Sequence, residues 1–113
     1  MSKKLNKYLK ERIRGIDLTE IADILLFGSA AKGKEFPKDI DICIIFRKRV
    51  LRELIQDIES KTKNFNIHIS SLTIDNFFRK PHSLVKTLLT EGISILSGKP
   101  FIQNFGFSSY VLY

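Results

Sequence analysis

A single cysteine, Cys43, in 113 residues excludes an internal disulfide. It lies in an apolar run and reads as a small buried hydrophobe. No apolar run approaches the roughly 20 residues that a membrane-spanning helix needs. The opening residues, Met1-Ser2-Lys3-Lys4-Leu5-Asn6-Lys7, lack the apolar stretch of a secretory signal. Together these absences predict a cytoplasmic protein with no membrane contact. Internal repeats and low-complexity segments are also missing, which sets aside solenoids and compositional linkers. What is present suffices for one core: 43% of the residues are apolar, and 113 residues leave no room for a second. The net charge is +7. Its Lys and Arg residues are scattered, as a solvated surface would have them. No nucleic-acid reader motif accompanies them, so nucleic acid ranks last among the partners.

Periodicity supplies the elements. Leu5, Tyr8, Leu9, Arg12 and Ile13 recur at helical spacing and predict a helix over residues 3–14, ended by Gly15. Ile24-Leu25-Leu26-Phe27 is a continuous apolar run of strand length, broken by Gly28-Ser29. Residues 29–32 suggest a short helical turn, and 33–38 a loop containing Pro37. Residues 39–46 form the next strand; from Ile42 onward it is apolar on both faces, the mark of a central strand. After the charged turn Arg47-Lys48-Arg49, residues 50–62 read as a one-faced helix bearing Val50, Leu54, Ile55 and Ile58. Phe65, Ile67 and Ile69 alternate with Asn66, His68 and Ser70, which predicts a half-buried strand. Thr73 can cap a short helix with Ile74, Phe77 and Phe78. Pro81 can open another with Leu84, Val85, Leu88 and Leu89 inward, and Gly92 stops it before the strand-like run 93–96. The predicted architecture is a small mixed β-sheet with helices packed on it, an α/β (α+β) domain over residues 1–100. Residues 101–113 hold five of the twelve aromatic residues; a tail of that composition is expected to pack on the domain or on another chain.

The chemistry concentrates at the first strand–turn–strand. Asp39 and Asp41 are two apart on a strand, so both side chains leave one face. Carboxylates that close repel unless a cation lies between them. Hard oxygen donors suit Mg²⁺ or Mn²⁺, which also hold phosphate oxygens. Gly28 admits close backbone approach to phosphates. Ser29 offers a hydroxyl and an N–H at a helix start, where anions are favoured. Lys32, one helical turn on, can reach a phosphate, with Lys34 and Lys38 in the same loop. A Gly-Ser turn is common, and an Asp-x-Asp at a strand edge is usually only solvated. Their occurrence together, in this order after an apolar strand, is what points to nucleotide chemistry.

Gly28-Ser29-Ala30-Ala31-Lys32-Gly33 followed by Asp39-Ile40-Asp41-Ile42 resembles the signature of the DNA-polymerase-β-like nucleotidyltransferases, and within them the minimal nucleotidyltransferase branch of small, antitoxin-like prokaryotic proteins. The resemblance is densest over residues 20–46. It implies the family fold and a nucleoside triphosphate, with ATP expected, whose phosphates lie on Gly28, Ser29 and Lys32. It also implies Mg²⁺ (or Mn²⁺) on Asp39 and Asp41. The reaction would be attack of a hydroxyl on the α-phosphorus with loss of pyrophosphate. Small members of this branch often act with a helical partner of the HEPN type; a homo-oligomer is the alternative assembly.

The family pattern also implies a third carboxylate on the neighbouring strand. Here that strand reads Asn66-Ile67-His68-Ile69-Ser70, and the position facing the two acids is His68. A neutral imidazole can ligate a metal or act as a base, but it replaces an anion around Mg²⁺ poorly. A partly buried, hydrogen-bonded strand histidine is an equal reading. Asp75 lies past the strand, in a first helical turn, and Glu53, Asp57 and Glu59 belong to a charged helix face. The loop is one residue shorter than the commonest family spacing, and Lys38 stands where a serine often precedes the first aspartate. Two functions therefore stay open: a nucleotidyltransferase with His68 as third site residue, and a catalytically degenerate module that binds a helical partner.

Overall fold

The computed structural model describes residues 3–28, 31, 39–79 and 83–105. In chain order the elements are α1 (Lys3–Arg12), β1 (Ile21–Phe27), β2 (Asp39–Phe46), α2 (Arg52–Lys61), β3 (Asn66–Thr73), α3 (Ile74–Arg79), α4 (Ser83–Glu91), β4 (Ile93–Ser94) and α5 (Phe101–Phe105). The four strands form one sheet in the order β3-β2-β1-β4. β1 is antiparallel to β2 and to β4, while β2 and β3 run parallel through the α2 crossover. This is the mixed sheet that the sequence pattern predicts.

Strand alternation sorts the core onto the two faces of the sheet. Ile40, Ile42, Ile44 and Phe46 of β2 join Ile24 and Leu26 of β1 against Leu5, Leu9 and Ile13 of the α1 segment and Ile58 of α2. Cys43 and Ile45 point the other way and join Leu25, Phe77, Val85, Leu88 and Phe101. The apolar run of β2 is thus the signature of a strand buried on both sides, each fully buried Ile or Leu contributing about 1.5–3 kcal/mol. Burial pushes the Cys43 thiol up to about 12, so it is an inert core group.

Several boundaries differ from the sequence prediction, each for a tertiary reason. β1 begins at Ile21, because Ile21 pairs with Phe46 and a register shift follows before Asp23. β3 runs on to Thr73, since the parallel ladder pairs every residue of β2 as far as Phe46 with Thr73. β4 stops at Ser94, where Gly98 N–H donates to the Ser94 carbonyl at 2.8 Å and turns the chain back. The helix predicted over 50–62 is shorter at both ends. Thr73 caps α3 as predicted: its Oγ1 accepts the Asn76 N–H at 3.1 Å. Of the aromatic tail, Phe101 is buried against Phe77, ring centroids 5.7 Å apart; residues 106–113 lie outside the described residues. No described helix is long and apolar enough to cross a membrane.

Asp23 on β1 lines an apolar cleft of about 260 Å³ with Ala22, Ile45, Ile74, Phe77, Phe78 and Phe101. Burial raises its carboxyl above the ordinary 3.8, although the Ser94 hydroxyl and the Ile24 N–H, which it accepts, pull the other way. The folded state therefore holds the proton more tightly than the unfolded state. Stability falls as pH rises from 3.8 through the folded value, and the loss persists above it. Asp23→Asn keeps an oxygen to accept both bonds. It is expected to raise the melting temperature at neutral pH, and thermal melts across pH should show that gain vanish in acid.

Candidate functional site

The site is assembled at one end of the sheet, where β1 ends and β2 begins. Odd positions of β2 share a face, so Asp39 and Asp41 leave the sheet on the side of Cys43 and Ile45, the side covered by α3, α4 and α5. Ile40 between them is fully buried on the opposite face. The parallel register sets Asn66 beside Asp39 and His68 beside Asp41. Asn66 Nδ2 donates to Asp39 Oδ1 at 2.5 Å, and His68 Nε2 faces the same oxygen at 3.5 Å. The Asp39 and His68 side chains are 56% and 57% exposed, so both remain open to a ligand.

Gly28 follows β1 with φ +74°, a left-handed conformation that a side chain disfavours. A Cβ built there would lie 2.6 Å from Asp41 Oδ2. The absent side chain thus makes room for the Asp41 carboxylate itself, beyond any room it leaves for phosphate. On its other side, the Gly28 N–H donates to Glu91 Oε1 at 3.1 Å. Gly28, Asp39, Asp41 and His68 therefore lie at one end of the sheet. Ser29 and Lys32, with Lys34 and Lys38, lie outside the described residues. Asp75 is remote from this cluster in role: it pairs with Arg79 across one helical turn at 2.9 Å.

Two neighbours escape the sequence reading. Asn66 shares the parity of His68 and pairs with Asp39 in the parallel ladder, a contact that depends on register between distant strands. Glu91 has no local signal, because it reaches Gly28 across 63 positions.

For a divalent ion, the pair Asp39 and Asp41 offers hard anionic oxygens on one face, which fit Mg²⁺ or Mn²⁺. β3 adds an amide and an imidazole in place of a third anion. Among the described residues no group of three or more His, Cys, Asp or Glu side chains could enclose a metal. Among the described residues, Asp39 and Asp41 are the paired carboxylates on this face of β2.

A mixed sheet whose second strand opens on paired acids beside a left-handed glycine turn is the nucleotidyltransferase fold. The chain belongs to the polymerase β nucleotidyltransferase family, whose model ("Polymerase beta, Nucleotidyltransferase") matches residues 3–100. No curated protein matches it by sequence. A solved toxin–antitoxin structure with AMP-PNP shares the fold at TM-score 0.55, with 19% identity, over 80% of this chain and 71% of that one. A mutant of the toxin–antitoxin pair MntA–HpeT is 19% identical over 81% of this chain and 69% of that chain, TM-score 0.48. A tri-AMPylated Shewanella oneidensis HEPN toxin in complex with its MNT antitoxin gives 21%, 81%, 66% and 0.43 in the same order. Family and fold are those the motif implies.

Proposed function

We propose that this chain is a metal-dependent nucleotidyltransferase that transfers NMP, specifically AMP from ATP, to a hydroxyl on a helical protein partner. The observation that carries this reading is the convergence of Asp39, Asp41 and the Gly28 turn at one strand end. The AMP-PNP held by a toxin–antitoxin complex of the same fold favours ATP as donor and a toxin-like partner as acceptor. In the reaction the acceptor oxygen bonds to the α-phosphorus, the bond to the β-phosphate oxygen breaks, and pyrophosphate leaves. Mg²⁺ or Mn²⁺ bound by Asp39 and Asp41 would neutralise charge on the entering and leaving oxygens. Gly28, with Ser29 and Lys32 from the following loop, would receive the phosphates. His68, whose Nε2 faces Asp39 Oδ1 at 3.5 Å, would accept the acceptor's proton.

The test is transfer of label from α-labelled ATP to a co-purified partner, with and without Mg²⁺, beside calorimetric titration with ATP. Mg²⁺-dependent labelling supports the reading, and no labelling under any condition overturns it. A second reading rests on Asn66 and His68, which occupy β3 where a carboxylate is expected. On that reading the chain binds its partner without catalysis. His68→Asp separates the two. A site one anion short should gain at least about tenfold in Mg²⁺-dependent rate. An unchanged absence of transfer, with partner binding intact, favours the interaction module.

A further inference from the structure

Glu91 is the last residue of α4, where the helix dipole presents its negative end. A carboxylate there opposes the helix dipole, and the last turn of α4 itself carries no basic residue. A residue that opposes its local preference is expected to be held by something else. The β1–β4 ladder shows what holds it. Leu26 pairs with Ile93 and Leu25 with Ser94; the same antiparallel register, continued outward, sets Gly28 opposite Glu91. The chain has left the strand by then: Gly92 N–H donates to the Leu88 carbonyl at 2.9 Å and closes α4. A Cβ on Gly92 would meet that carbonyl oxygen at 2.5 Å, so the glycine permits this tight exit. Glu91 Oε1 then accepts the Gly28 N–H at 3.1 Å, where a regular ladder would supply a backbone carbonyl. The hydrogen bond is charge-assisted, and it falls on the residue whose missing Cβ accommodates Asp41 Oδ2.

We propose that Glu91 is a positioning residue that holds the Gly28 turn against the Asp41 carboxylate, fixing the turn and the metal-binding acid in register. This rests on the transferase reading above. In this role Glu91 acts through the Gly28 backbone. Misplacing such a turn by about 1 Å is enough to cost about a hundredfold in rate.

The experiment compares wild type, Glu91→Gln and Glu91→Ala by amide hydrogen exchange and by ATP-dependent label transfer. Gln keeps an oxygen acceptor; Ala removes it. In Glu91→Ala the Gly28 amide should exchange at least about tenfold faster, with protection of the β1–β2 core unchanged. Its kcat should fall about ten- to a hundredfold with the ATP KM changed much less. Glu91→Gln should restore both protection and kcat to near wild type. Gly28 exchange in Glu91→Ala equal to wild type, or Glu91→Gln as impaired as Glu91→Ala, overturns the inference. If Glu91→Ala does not fold, Glu91→Ser, whose side chain is too short to reach the Gly28 N–H, takes its place with the same expected and overturning results. A wild-type chain that transfers no label refutes the transferase reading instead, while the exchange data still judge the Glu91 contact.

Discussion

Asp41→Asn is expected to abolish the proposed nucleotidyl transfer, lowering it by at least about a hundredfold, and to leave the fold as stable as before or more so. The proposed chemistry calls for two anionic oxygen donors on one face, and β2 carries Asp39 and Asp41 two positions apart. An amide retains the shape and loses the charge. It also removes repulsion between neighbouring carboxylates, which costs the apo fold free energy. Asp39→Asn is expected to lose transfer equally. Its stability gain should be smaller, because Asp39 is already met by Asn66 and His68 from β3. Label transfer measured beside thermal melts checks both statements. Full activity in either variant would remove the pair from the reaction, and unfolding of both would make its role structural.

Gly28→Ala has the second largest expected effect, divided between stability and activity. The left-handed φ of +74° costs a residue with a Cβ about 1–2 kcal/mol. The new methyl would also lie 2.6 Å from Asp41 Oδ2. A flexible carboxylate can swing aside at little energetic cost, but the proposed metal site calls for this one where it is. Transfer should therefore fall far more than the lost stability explains, by about a hundredfold. Gly15→Ala is the control. Gly15 has φ +94° and nothing within 4 Å of its Cβ position, so it carries the backbone penalty alone. Comparable losses of melting temperature, with activity lost only in Gly28→Ala, are expected. Equal activity in the two variants would show that the Gly28–Asp41 contact is unimportant.

Local pattern carried much of this architecture. β2 was legible to the residue, since its apolar run starts after Asp39 and ends at the charged turn Arg47-Lys48-Arg49. Thr73 announced α3 because capping is a short-range hydrogen bond. The alternation of Phe65 to Ser70 puts His68 on the acidic face, and the parallel register pairs it with Asp41. What resisted was extent: β1 and β3 are longer than their own residues suggest, because strand ends are set by the partner's ladder.

By itself, the sequence determined the fold class, the core-facing positions and the acidic pair, since periodicity, turn residues and strand parity are encoded within a few neighbouring residues. Only the tertiary structure decided what surrounds that pair: Asn66 on Asp39, the Asp41 carboxylate in the space Gly28 leaves open, and Glu91 on the Gly28 amide. Those contacts depend on ladder register between segments far apart in the chain. A one-residue slip would turn each side chain to the other face, and no local propensity specifies the register that prevents it.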